Sequence, residues 1–177
     1  GTVHWAATMG RRTIAIEIAS RFVEIQQMNI EALRKKPGYV VGIEPQLLYM
    51  DCRRALPLAE KVDATIFSPP YSNVMAKGQS QGFKKPDGTA MNLGSLGYDE
   101  QGANIGNMST YFQYLTAMKV VYGLCNQSMK MGAPLIIVTK DHTSHDQRVY
   151  VTKDNIAQAY QVGFTVDAWH FREAQTG

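Results

Sequence analysis

The sequence predicts an α/β fold built on a mostly parallel sheet. Two observations carry that prediction. Short β-branched apolar runs alternate with helix-like stretches along the whole chain. Several of those runs are continuously apolar, as strands covered on both faces are. The chain has 177 residues, enough for one domain with its own core. It shows no internal repeat and no sign of a second domain.

Taken in order, the chain opens with a helix-like segment that a glycine stops at Met9-Gly10. Thr13 to Ile18 is short and β-branched, a buried strand with Glu17 at its end. Ser20 is placed to cap the next helix. That helix should run from about Arg21 to Lys36, bury Phe22, Val23, Ile25, Ile30 and Leu33, and end at Pro37-Gly38. Residues 40–45 carry no clear pattern. Leu47 to Met50 reads as a strand ending at Asp51, and Cys52 to Leu58 as a turn or short helical piece.

Val62 to Phe67 reads as a buried strand that stops at Ser68-Pro69-Pro70-Tyr71. Each proline fixes its φ, removes a backbone donor and pushes the preceding residue to an extended conformation. The result is a stiff ledge at a strand's carboxyl end, where ligands of open α/β sheets bind. Residues 72–106 form a glycine-rich, aperiodic loop of the length that is usually functional or disordered. It is the candidate substrate loop.

Asn107 or Ser109 should cap a helix of about twenty residues. Its core stripe would be Tyr111, Leu115, Met118, Tyr122, Cys125 and Met129. Pro134 to Thr139 is a buried strand, and Lys140 to Val151 a loop or hairpin. Asp154 should cap a helix closed by Gly163, and Phe164 to Phe171 alternates as a late strand would.

Composition excludes several classes. No apolar run approaches the length of a membrane span. Cys52 and Cys125 form neither a disulfide framework nor a zinc spacing, which fits a reducing, cytoplasmic compartment. His4, His142, His145 and His170 make no metal motif. The net charge of +3 permits nucleic-acid binding without demanding it. The basic clusters Arg11-Arg12, Arg34-Lys35-Lys36, Arg53-Arg54 and Lys84-Lys85 each read as solvated surface when taken alone.

The ledge and the acidic strand ends together resemble an S-adenosylmethionine-dependent amino-methyltransferase, of the family that methylates exocyclic amines of DNA bases. That family's motif is Asp, Asn or Ser, then Pro-Pro, then an aromatic residue, and Ser68-Pro69-Pro70-Tyr71 matches all four positions. Gly1-Thr2 looks like the tail of the family's glycine-rich cofactor loop. Glu17 with Ile18 looks like the ribose-holding position, and Asp51 with Cys52 like the adenine-reading one. Gly102 to Asn107 and Met131 to Ile136 are similar to the family as well, so the likeness spans nearly the whole chain.

The resemblance implies a Rossmann-like methyltransferase fold, S-adenosyl-L-methionine as cofactor, and DNA with a flipped-out base as partner. No metal and no membrane are implied. The chain begins after the family's first, central strand. The reading therefore expects 1–177 to be a piece of a longer protein that binds the cofactor poorly alone.

The chemistry suits these residues. An exocyclic amine is a weak nucleophile because its lone pair is delocalised into the ring. The Ser68 hydroxyl and the Pro69 carbonyl would hold its hydrogens and aim the lone pair, which is catalysis by positioning. Tyr71 would stack on the extruded base. Neither cysteine follows a proline as ring-carbon methylation requires, and serine in the first motif position favours cytosine N4 over adenine N6. The alternatives are an RNA or protein-glutamine amino-methyltransferase, or a catalytically dead nucleic-acid-binding module.

Overall fold

The structure is a computed structural model that describes residues 2–37, 39, 44–70, 104–144 and 147–171. The elements follow in the order α1 (Thr2–Thr8), β1 (Ile14–Glu17), α2 (Ser20–Arg34), β2 (Gln46–Tyr49), α3 (Cys52–Ala55) and β3 (Thr65–Phe67). A 3-10 turn (Ile105–Asn107) comes next, then α4 (Tyr111–Ser128), β4 (Leu135–Ile137), β5 (His142–Ser144), β6 (Gln147–Val149) and α5 (Val151–Gln161). The fold is mixed α/β with short parallel strands. The chain divides into two compact units, one of residues 1–58 and 70–114, the other of residues 59–69 and 115–177.

In the first unit β1 and β2 pair in parallel, with Ile14 opposite Gln46 and Glu17 opposite Tyr49. Helix α2 packs on this pair and buries Val23, Ile30 and Leu33. Two of its expected core positions differ. Phe22 is only half-buried, and Ile25 is 44% exposed because it falls off the 3.6-residue stripe of the other three. Ser20 is the first helical residue rather than the cap; Ala19 holds the cap position without a side-chain bond. The helix stops at Arg34, two residues short of the expected Lys36. Gly10 follows α1 at φ +74°, the left-handed conformation that ends a helix at low cost for glycine alone.

In the second unit β3 and β4 pair in parallel, Thr65 opposite Leu135 and Phe67 opposite Ile137. Neither strand is buried on both faces as expected. Thr65, Phe67, Leu135 and Ile137 are half-buried on one side, while Ile66, Ile136 and Val138 on the other are 42–54% exposed. Phe67 meets Tyr122 of α4 with ring centroids 5.8 Å apart. The ladder runs from Thr65 N donating to Pro134 O to Val138 N donating to Phe67 O. The next donor on this strand would be residue 69. Pro69 has no N–H, so the ladder ends there.

Thr110, not Asn107 or Ser109, caps α4: its carbonyl accepts from Tyr114 N and its hydroxyl from Gln113 N. Ser109 instead hydrogen-bonds Gln113 through its side chain. The α4 stripe includes Met118, Tyr122, Cys125 and Met129 as expected, and also Tyr114, Ala117 and Val121. Tyr111 and Leu115 are only half-buried. Residues 142–149 form the antiparallel hairpin β5–β6. Asp154 sits within the first turn of α5, and the side chain that accepts from that turn is Asp141, bonded to Thr152 N at 3.0 Å. Gly163 ends α5 at φ +101°. Residues 164–171 make no strand: the alternation is present, and the described residues offer no edge that pairs with it.

Candidate functional site

Glu17 is the last residue of β1. Its Oε1 accepts from the backbone N–H of both Ile18 and Ala19, each at 2.9 Å. These are the donors that lead into α2, so the carboxylate stands where a helix N-terminus favours negative charge. Both bonds end on one oxygen, and Oε2 keeps its accepting capacity. Ile18 thus acts through its backbone N–H, as an anchor for Glu17.

Asp51 lies two residues beyond the carboxyl end of β2. Met50 N donates to Glu17 O at 3.0 Å, so the structure brings Glu17 and Asp51 to the same edge of the β1–β2 pair. Asp51 caps α3 by accepting from Arg53 N at 2.8 Å. It also holds the Arg53 guanidinium through both oxygens, with Nη2 at 2.6 Å from Oδ2. Burial pushes the Asp51 carboxyl upward; the Arg53 hydrogen bonds and charge outweigh this and leave it below its ordinary 3.8. Arg53 is raised in turn, chiefly by the same hydrogen bond.

This pairing was missed in the sequence, where Arg53-Arg54 read only as a basic cluster. The signal was present as an Asp-x-Arg at a helix start. Cys52, the first residue of α3, is half-buried, and burial followed by the neighbouring Asp51 charge pushes its thiol up to about 11. It is a poor nucleophile at neutral pH.

Thr2 is the exposed first residue of α1, and Gly1 lies outside the described residues. Ser68 is exposed at the carboxyl end of β3, followed by buried Pro69 and half-buried Pro70. Tyr71 and residues 72–103 of the candidate substrate loop also lie outside the described residues. The loop's last three, Asn104 to Gly106, are buried, and Asn104 Oδ1 accepts from Gly106 N at 3.0 Å.

Between α2 and β2 an open groove of about 460 Å³ is lined by Gln27, Ile30, Glu31, Arg34, Leu47 and Tyr49. Among the described residues no group of His, Cys, Asp or Glu side chains is arranged to hold a metal ion. No helix among them is long and apolar enough to cross a membrane. Set against family models, curated proteins and solved structures, the chain matches none.

Proposed function

We propose that this chain carries the catalytic edge of an S-adenosylmethionine-dependent DNA amino-methyltransferase with a Rossmann-like methyltransferase fold, acting on cytosine N4 in preference to adenine N6. One observation carries the reading. Glu17 and Asp51 stand at or just beyond the carboxyl ends of the parallel pair in one unit, and Ser68 stands just beyond the carboxyl end of a parallel strand in the other, the kind of position at which open α/β sheets take their ligands.

The cofactor, when bound, supplies an electrophilic methyl group. Glu17 fits the ribose role, since its Oε1 is anchored and its Oε2 retains lone pairs for hydroxyl donors. Asp51 fits the adenine role only after Arg53 yields, because the guanidinium spans both of its oxygens. The Ser68 hydroxyl and the Pro69 carbonyl accept the hydrogens of the target amine and hold its lone pair in line. With the cofactor bound, the methyl–sulfur bond would break as the N–C bond forms, and the Ser68 hydroxyl and Pro69 carbonyl would line the path by which the surplus amine proton leaves to solvent. Tyr71 stacks on the extruded base.

The test is mass spectrometry of nucleosides from cells expressing the full reading frame that contains the chain. N4-methylcytosine in their DNA is expected, with none when Ser68→Ala or Tyr71→Ala replaces the wild type. DNA free of methylated bases refutes the reading, and full activity in either variant refutes the mechanism.

A further inference from the structure

Two basic clusters far apart in sequence converge at the amino end of the β1–β2 pair. Gln46 N donates to Thr13 O at 2.9 Å, which sets Arg11-Arg12 beside the segment Glu44-Pro45. Glu44 in turn holds the Arg34 guanidinium, with Nε at 3.2 Å and Nη2 at 3.1 Å. Arg34 continues directly into Lys35 and Lys36 at the end of α2. Arg11, Arg12, Arg34, Lys35 and Lys36 are all exposed. Among the described residues this places five cations at one edge against two carboxylates, Glu31 and Glu44.

By strand rise, Arg12 lies about 16 Å from Glu17, so this surface is separate from the edge that bears Glu17 and Asp51. An excess of exposed cations over two carboxylates, one of them paired with Arg34, is the electrostatic footprint of a polyanion site. Long side chains with several donors suit phosphate oxygens, and the guanidiniums suit them bidentately.

We propose that this basic edge, built from Arg11, Arg12, Arg34, Lys35 and Lys36, binds the phosphate backbone of duplex DNA. It holds flanking duplex without reading sequence, because phosphate contacts position a protein and carry no base information. The proposal rests on the methyltransferase reading only for the choice of DNA as the polyanion.

The test measures the affinity of the chain for a random-sequence duplex of about 30 base pairs across a salt series. The variant is Arg11→Gln/Lys35→Gln/Lys36→Gln. The control, Lys61→Gln/Lys119→Gln/Lys153→Gln, removes the same charge from exposed positions in the other unit. Each lost phosphate contact should flatten the slope of log K against log salt by about 0.9. Between about 50 and 200 mM salt the wild type should then lose roughly forty-fold more affinity than the edge variant. The control should follow the wild type, and both variants should keep the wild-type Tm.

Equal slopes for wild type and edge variant overturn the inference, as does an equal drop in edge variant and control. Loss of binding to phosphatidylserine vesicles with duplex binding unchanged overturns it as well. The methyltransferase reading fails separately. Salt-sensitive duplex binding through this edge with no methylated base sinks that reading and leaves the edge standing.

Discussion

Arg53→Ala tests how Asp51 is held. The substitution removes the guanidinium that spans both Asp51 oxygens and leaves the backbone N–H bond of Arg53 in place. The side chains of Asp51 and Arg53 are 11% and 25% exposed, between a surface pair and a buried one. Exposed pairs contribute about 0–1 kcal/mol, and hydrogen bonds to charged groups about 1.5–3. A loss of about 1–2 kcal/mol at neutral pH follows for this intermediate setting.

The pH dependence has a definite sign. The folded Asp51 carboxyl lies below its ordinary 3.8, so its contribution is present above that value and is lost as pH falls through the lower folded one. Urea unfolding of wild type and variant should therefore differ by about 1–2 kcal/mol near pH 7 and converge as the pH falls through the lowered Asp51 carboxyl. A difference independent of pH, or none at pH 7, refutes this account of the pair. If Asp51 reads the cofactor's adenine, the same variant should also bind S-adenosylmethionine more tightly than the wild type, since a competitor for the carboxylate is gone.

Other outcomes follow from the described geometry. Tyr122 and Asn155 are fully buried and joined by a 2.7 Å hydrogen bond; Tyr122→Phe should cost about 1–3 kcal/mol and lower Tm by several degrees in a thermal melt. Gly163→Ala should destabilise more than Gly132→Ala. Both have positive φ, but only at Gly163 does an added Cβ meet a neighbour, Asn126 Nδ2 at 3.2 Å, whose amide donates to Val162 O. Equal urea midpoints for the two variants would contradict this. Cys52, with a thiol near 11, should resist iodoacetamide in the folded protein at about pH 8 and react promptly once unfolded.

The alternation of strands and helices was legible because β-branched runs and glycine stops are local signals, and β1, α2, β2, β4 and α5 lie near their expected places. What the sequence hid depends on distant partners. Val62 to Phe67 and Pro134 to Thr139 read as buried strands because they are short, largely apolar and rich in β-branched residues. Their exposed faces became visible only with the pairing. The cap of α5 comes from Asp141, across a hairpin, and local spacing pointed to Asp154 instead. In the site, Glu17 and Asp51 were legible as acids at strand ends. The Arg53 grip on Asp51, and the meeting of Arg11-Arg12 with Arg34-Lys35-Lys36, needed the β1–β2 register and the Glu44 ion pair.

The parallel pairing also sets an order of assembly. Ile14 meets Gln46, 32 positions further on, whereas Thr65 meets Leu135, 70 positions further on. Closing the longer excursion costs about 0.7 kcal/mol more in chain entropy, on the flexible-loop scaling. Strands β1 and β2 can therefore form while α2 coils between them, whereas β3 must wait for α4 and everything before it. The exposed apolar row of Ile66, Ile136 and Val138 belongs to the pair with the longer excursion, so this apolar face is assembled only once that excursion has closed.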